Sequence, residues 1–294
     1  MTDAHSPIVV AVGDSTDEDA ALRFAAEEAK RSDHSIRVVH VAHGFATVTP
    51  HNFLVSYAAA GDIGQQLVTQ AAEQLRKLTG DQVEISTLVA RGSAVEQLVA
   101  LSRDAYLMVI SHRDVSGLHR VFTGSVGSRV AGRAAVDTVS VPGLWAPSSA
   151  FISRVGVGVG TWHGAGRLLE RAFAVADQHG ASVRLLHTLE LPAVYEGALA
   201  NAEESFNRWR DTTTQLIEAE LTEVLRRHPS VDSTVELEVA RPADALVEAS
   251  RDVDLLVVGR RDTAHAAVEH LGSVTHALLR TSHCPVDVVP RPLG

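Results

Sequence analysis

The sequence predicts two tandem α/β domains. Each is expected to be a doubly wound, mainly parallel five-stranded sheet with helices on both faces. Three observations predict this. The chain repeats itself at a nearly fixed spacing. Within each repeat, strand-like runs alternate with helix-like stretches. Strand-like runs such as Ile8–Val12 and Leu107–Ile110 are continuously apolar, as a sheet buried on both faces requires.

The repeat is plainest in the second half of each copy. Leu98-Val99-Ala100-Leu101-Ser102-Arg103-Asp104 corresponds to Leu246-Val247-Glu248-Ala249-Ser250-Arg251-Asp252 at an offset of 148 residues. The register runs on without a gap, taking Gly124-Ser125-Val126 to Gly272-Ser273-Val274 and Val141-Pro142 to Val289-Pro290. The starts correspond at an offset of 147, with Val10-Ala11-Val12-Gly13 over Val157-Gly158-Val159-Gly160. An ungapped tail of this length is two copies of one unit. The division into domains is set at 1–146 and 147–294, within the Gly-, Pro- and Ser-containing stretch 143–150.

In the first copy the β-branched runs are Ile8–Val12, Ile36–Val41, Val83–Val89, Leu107–Ile110 and Thr138–Val141. An alanine-rich stretch from Ala20 to Lys30 follows Asp14-Ser15-Thr16-Asp17, residues that cap helices well. Ile63, Leu67, Ala71, Leu75 and Leu78 recur at helical spacing, as do Trp209, Thr213, Leu216, Ala219 and Leu225 in the second copy. Right-handed crossovers then give a doubly wound sheet. Ligands of such sheets bind beyond the carboxyl ends of the strands, where the strand order reverses. The loops after the first and fourth strands are therefore the places to look for chemistry.

Composition narrows the function classes. The 294 residues are 45% apolar and 21% charged, which is ordinary for a globular chain and excludes intrinsic disorder. A net charge of −10 repels phosphate backbones, so nucleic acid is not an expected partner. No apolar run approaches the roughly 18 residues of a membrane helix. The N-terminal Met1-Thr2-Asp3-Ala4-His5 lacks the pattern of a signal peptide, and a cytoplasmic location is expected. The single Cys284 cannot form an internal disulfide. The fifteen histidines are scattered, with no His-Glu-x-x-His or Cys-x-x-Cys, so no metal ligand is assigned.

The loop after the fourth strand carries the most information. In the second copy it reads Gly259-Arg260-Arg261-Asp262, then nine residues, then Gly272-Ser273 opening a helix. In the first it reads Ser111-His112-Arg113-Asp114, then nine residues, then Gly124-Ser125. A helix that starts at Gly-Ser offers unpaired backbone N–H groups and a partial positive charge to an anion. Arg113, Arg260 and Arg261 would add compensating charge. The same two residues also suit an ordinary helix start, and the pattern alone leaves both readings open.

With these residues in view, the whole chain resembles the tandem universal stress proteins. Nucleotide-binding members of that family carry Gly-x2-Gly-x9-Gly-[Ser/Thr] after strand four. The resemblance spans about residues 7–142 and 153–290. It includes Ser15 before the alanine-rich helix, Gly92-Ser93-Ala94-Val95 before the third helix, and the closing His283-Cys284-Pro285-Val286. It implies ATP, with Mg2+, as the cofactor. Adenosine would lie near the end of strand one, at Gly13 and Gly160, beside Val41 at the end of strand two. The phosphates would lie against Ser111, Arg113, Asp114, Gly124 and Ser125, or against Gly259, Arg260, Arg261, Asp262, Gly272 and Ser273. In single-domain members the fifth strands pair across a two-fold dimer. The resemblance therefore implies an internal pseudo-dimer through Thr138–Val141 and Val286–Val289, and a homodimer as a further level. Protein partners are not named by it.

The sequence departs from the family pattern in informative places. ATP binders have Asp at the end of strand one, where this chain has Gly13 and Gly160. The first motif glycine is Ser111 in copy one and Gly259 in copy two; the second is Asp114 and Asp262. A non-glycine residue in a left-handed backbone costs about 1–2 kcal/mol, and Asp tolerates it better than most. A carboxylate about 4 Å from a phosphate charge costs on the order of 4 kcal/mol at a surface-like dielectric. A magnesium ion between them reverses that sign. Copy two, with Gly259, Gly272, Ser273 and two arginines, is the better candidate.

Other motifs read as structural. Gly156-x-Gly158-x-Gly160 lies within a strand and lacks the third glycine of a dinucleotide loop, so it is expected to serve close helix packing. Ser111-His112 are neighbours on an extended chain and point to opposite faces. His40 and His187 are equivalent and are expected to be packed or hydrogen-bonded. Cys284 is expected to be a small buried residue. Asp17-Glu18-Asp19 and Arg226-Arg227-His228 are expected to be solvated helix ends.

The expected function is a cytoplasmic stress-response module that binds and regulates, with nucleotide biasing its conformation or association. One alternative is a scaffold that has lost the nucleotide and works through protein contacts. Another is a slow ATP-hydrolysing enzyme, against which stands the lack of a paired base and nucleophile. No catalytic residue is assigned.

Overall fold

The computed structural model describes residues 6–13, 19–42, 57–112, 123–147, 151–161, 164–190, 202–260 and 271–290, with backbone alone at 57–60, 112, 123–125 and 202–206. The chain forms two compact units, one on Met1–Pro147 and Arg261–Leu271 and the other on Ser148–Arg260 and Gly272–Gly294.

The first unit contains β1 (Ile8–Val12), α1 (Asp19–Ser32), β2 (Ile36–Ala42), α2 (Tyr57–Thr79), β3 (Ile85–Arg91), α3 (Ala94–Leu101), β4 (Leu107–His112), α4 (Thr123–Ala131) and β5 (Thr138–Pro142). Its strand order is β3-β2-β1-β4-β5, and every pairing is parallel. The second unit contains β6 (Arg154–Gly158), α5 (Gly166–His179), β7 (Ser182–Leu189), α6 (Ala202–Arg227), β8 (Ser233–Val239), α7 (Pro242–Ala249), β9 (Leu255–Gly259), α8 (Ser273–Thr281) and β10 (Val286–Val289). Its order, β8-β7-β6-β9-β10, repeats the first, again all parallel. The doubly wound reading of the sequence therefore holds in each half.

The central strands are buried on both faces, as their uninterrupted apolar character requires. Val9 of β1, Val39 and Val41 of β2, and Met108 and Ile110 of β4 pack with Val95 and Leu98 of α3 and Val130 of α4. Helices α1 and α2 pack on each other and on the sheet. Each fully buried Leu, Ile or Val contributes about 1.5–3 kcal/mol.

Both helical stripes read from the sequence are displaced. Leu75 is buried, but Ile63 is 50% exposed; the face of α2 that meets the sheet is Gly64, Val68, Ala71, Ala72 and Leu75. The cause is a close approach. A Cβ on Gly64 would lie 2.7 Å from His40 Cδ2 and 3.0 Å from Val89 Cγ1. The row with a glycine faces the sheet in place of the row of larger side chains because it allows the tighter fit. In α6, Thr213 is buried as expected, but Ile217, Leu221 and Val224 complete the face, while Ala219 and Leu225 turn outward.

Gly156 and Gly158 do serve packing. A Cβ at Gly158 would meet Leu246 of α7 at 2.9 Å, and one at Gly156 would meet Val253 and Leu256 at 3.1 Å. Cys284 is buried, and that burial, with Asp254 nearby, pushes its thiol pKa up to about 12. Asp19 is exposed, but Asp17 and Glu18 lie outside the described residues, as do Asp14, Ser15 and Thr16.

The Arg226-Arg227-His228 expectation needs correction. Arg226 is exposed and pairs with Glu223. The His228 side chain is only 12% exposed and sits between Glu170 Oε1 and Asp177 Oδ2, both 3.3 Å away. Arg227 also reaches Glu170, at 2.8 Å. The basic end of α6 is thus tied to acidic positions on α5, which local sequence could not reveal.

A shared device closes each unit. Ser102 Oγ donates to Val99 O at 2.7 Å and accepts from Ala135 N at 2.9 Å. Ser250 Oγ donates to Val247 O at 2.6 Å and accepts from His283 N at 3.0 Å. Each buried hydroxyl joins the end of one helix to the approach of the last strand, so it satisfies two backbone groups at once.

Candidate anion cradle at the strand ends

The strand order reverses beside β1 in the first unit and beside β6 in the second. The crevice rule places a ligand at the carboxyl ends there. Because β1 pairs with both β2 and β4, the chain end of β1 meets those of its two neighbours. Gly13, exposed, leaves β1 at this edge, next to buried Val41 on β2 and partly exposed Ser111 on β4. Arg113 and Asp114 lie outside the described residues.

Gly124 and Ser125 lie in the first turn of α4 (Thr123–Ala131), so Gly-Ser opens a helix here as expected. Gly124 therefore holds a helical backbone in the first copy.

The second unit keeps the expected arrangement more closely. Gly160 follows β6, and Gly259 ends β9, and a Cβ on either would meet nothing within 4 Å. The backbone surface is open at both places. Arg260, partly buried, continues from Gly259, and its N–H donates to Val289 O at 3.2 Å. Arg261 and Asp262 lie outside the described residues.

Gly272 stands at the N-cap of α8 with φ 76° and ψ 150°. Side chains other than glycine rarely adopt this conformation. It directs the chain so that Ser273, exposed, is the first helical residue. The first helical bond runs from His276 N to Gly272 O at 3.0 Å. The amides of the first turn precede that bond and have no helical acceptor. With the helix dipole they make a donor set suited to an anion.

One contributor was missed in the sequence. Thr275 is buried, and its Oγ1 donates to Gly259 O at 3.4 Å, tying the first turn of α8 to the end of β9. Its place two residues after Ser273 was the available signal. The histidine pair is hydrogen-bonded, as expected. His40 Nδ1 lies 3.0 Å from Val12 O and His187 Nδ1 lies 2.7 Å from Val159 O. Their equivalence was visible, but their partner is a backbone carbonyl and leaves no mark on the sequence.

The residues present suit the phosphate part of a nucleotide: two open glycine positions, a glycine-only turn and a helix start whose first amides have no helical acceptor. Among the described residues, no group of three His, Cys, Asp or Glu side chains is placed to hold a metal ion. Among them also, no helix is long and apolar enough to cross a membrane.

The fold defines a tandem α/β protein built of two like repeats. The universal stress protein family matches residues 5–142 and again residues 152–290, and the chain belongs to that family. Relatives share its two-repeat length. A universal stress protein of Mycolicibacterium smegmatis is 26% identical over 290 residues, covering 96% of each chain. One of Mycobacterium tuberculosis is 26% identical over 302 residues, covering 97% of this chain and 95% of its own. The crystal structure of a universal stress protein from Archaeoglobus fulgidus superposes with a TM-score of 0.70 at 16% identity, covering 100% of this chain and 99% of that one.

Proposed function

We propose that this chain is a cytoplasmic regulatory module whose second repeat binds an adenine nucleotide through the cradle of Gly160, Gly259, Arg260, Gly272 and Ser273. The base and sugar lie toward Gly160, and the phosphates lie on the first turn of α8. Occupancy biases conformation or association. The observation that carries this reading is Gly272. Its positive φ is a conformation that a simple helix start does not need, and the first turn of α8, whose amides have no helical acceptor, is tied to Gly259 through Thr275. The first repeat is the poorer site, because Ser111 replaces a glycine.

The test is a thermal melt of the full chain against ATP and AMP, with and without magnesium, together with analysis of nucleotide released on boiling the purified protein. A ligand at about 100 times its dissociation constant adds roughly 2.7 kcal/mol of stability. Asp262→Gly tightens binding if the carboxylate repels phosphate, and weakens it if Asp262 holds a metal.

A second reading is a scaffold that works through protein contacts. It is favoured by Asp114 and Asp262, which stand where nucleotide-binding relatives carry glycine. No co-purified nucleotide and no shift at millimolar ATP decide for it.

A further inference from the structure

Each repeat turns a histidine ring onto the carbonyl at the exit of its central strand. His40 on β2 is the register partner of Val12, the last residue of β1. Its Nδ1 lies 3.0 Å from Val12 O. In the second repeat, His187 Nδ1 lies 2.7 Å from Val159 O. A carbonyl only accepts, so each Nδ1 carries the proton and donates.

The bond falls where the ladder runs out. Strand β6 ends at Gly158, and Val159 N donates to Leu186 O at 3.0 Å. Val159 is buried, and a buried carbonyl past the last ladder bond needs a donor. The ring supplies it. The next residue is Gly160, which opens the crevice; in the first repeat it is Gly13.

The covers over the two rings differ. His40 is overlain by Gly64 of α2, where no side chain fits. His187 instead stacks near Trp209 of α6, with centroids 5.9 Å apart and planes at 20°. Packing is solved in two ways, while the bond to the strand-end carbonyl is the same in both.

We propose that His187 and His40 are positioning residues: by donating to the strand-end carbonyl, each sets the direction in which Gly160 or Gly13 leaves the sheet, and with it the mouth of the crevice that receives the base and sugar. The loop-setting part stands on geometry alone. The ligand part rests on the nucleotide reading above. Without the donor, the carbonyl of Val159 turns toward water and takes the peptide of Gly160 with it.

Three measurements on the full-length protein test this. Nitrogen NMR of imidazole-labelled wild type finds both rings protonated at Nδ1; a bare Nδ1 in either ring overturns the proposal. Hydrogen exchange over residues 159–161 without ligand rises about tenfold in His187→Leu and returns toward wild type in His187→Asn, whose amide places a donor near the Nδ1 position. Unchanged exchange, or Leu and Asn variants behaving alike, overturns it. Should His187→Leu fail to fold, His40→Leu and His40→Asn with the exchange of Gly13 decide in the same way. Titration with AMP then shows about tenfold weaker binding in His187→Leu and recovery in His187→Asn. Equal affinity in wild type and His187→Leu overturns the link to the crevice. A wild type that binds no AMP sinks the nucleotide reading, while the exchange result still decides the role of the ring.

Discussion

Arg171 of α5 donates through Nε to Asp287 of β10 at 2.8 Å, and that carboxylate is completely buried. The corresponding positions of the first repeat hold Phe24 and Val139, both buried. One fold position has thus been filled by an ion pair in one repeat and by an apolar pair in the other. A buried pair carries a desolvation cost, and removing Arg171 takes an ion-pair partner from the buried carboxylate; the loss is about 3–5 kcal/mol. Arg171→Leu is expected to destabilise the protein by about that amount. Arg171→Phe combined with Asp287→Val is expected to return to about wild-type stability or exceed it by ~1–4 kcal/mol. Urea denaturation of the full chain checks this, and a double variant as unstable as the single one refutes it.

Two glycines are predicted to respond oppositely to alanine. At Gly64 the new Cβ meets a His40 ring held by its own hydrogen bond, with Cδ2 2.7 Å away. Overpacking costs about 1–3 kcal/mol, against a helix-propensity gain of up to about 1 kcal/mol for Ala over Gly, so packing wins. At Gly160 the Cβ enters open space, and Gly160→Ala is expected to change stability by less than about 0.5 kcal/mol. Denaturation midpoints separate the two, and equal effects would mean that α2 has room to move.

Burial, reinforced by Asp254, raises the Cys284 thiol from 9.0 to about 12. For a group raised on folding, the stability it contributes is complete below 9.0 and is lost as pH climbs toward about 12. Folded protein at pH 8 is therefore expected not to react with a thiol reagent, and to react once urea exposes the side chain. Rapid labelling of the folded form contradicts the burial.

Asp177 is held below the ordinary carboxylate range, chiefly by the hydroxyl of Ser230 at 2.5 Å and then by His228. A lowered pKa means stability that is present above the ordinary value and lost as pH falls through the lowered one. Ser230→Ala is expected to move the Asp177 carboxyl back up toward the ordinary range in a carbon NMR titration. No movement would assign the lowering to His228 alone.

Much of the fold was legible because its causes are local or repeated. Continuous apolar runs such as Ile8–Val12 announce strands buried on both faces, and the offset of 148 residues announces the second copy. What was not legible depends on partners distant in the chain. Ile63 looked like core until Gly64 proved to be the point of closest approach. His228 looked solvated, and two carboxylates of α5 enclose it. In the candidate site, the paired Gly-Ser motifs were visible, but their backbones differ: Gly124 is helical and Gly272 is not. Thr275 and the two histidines act on carbonyls, which every residue carries, so the histidine pair was visible in the sequence but its acceptor was not, and Thr275 was not singled out at all.

The most direct test is calorimetric titration of the full chain with AMP and ATP, on wild type, Gly124→Ala and Gly272→Ala. The account predicts saturable binding by wild type, retained in Gly124→Ala because a helical backbone accepts alanine, and lost in Gly272→Ala because φ 76° does not. Folded wild type that takes up no nucleotide at millimolar concentration contradicts it, as does binding that survives Gly272→Ala and disappears in Gly124→Ala.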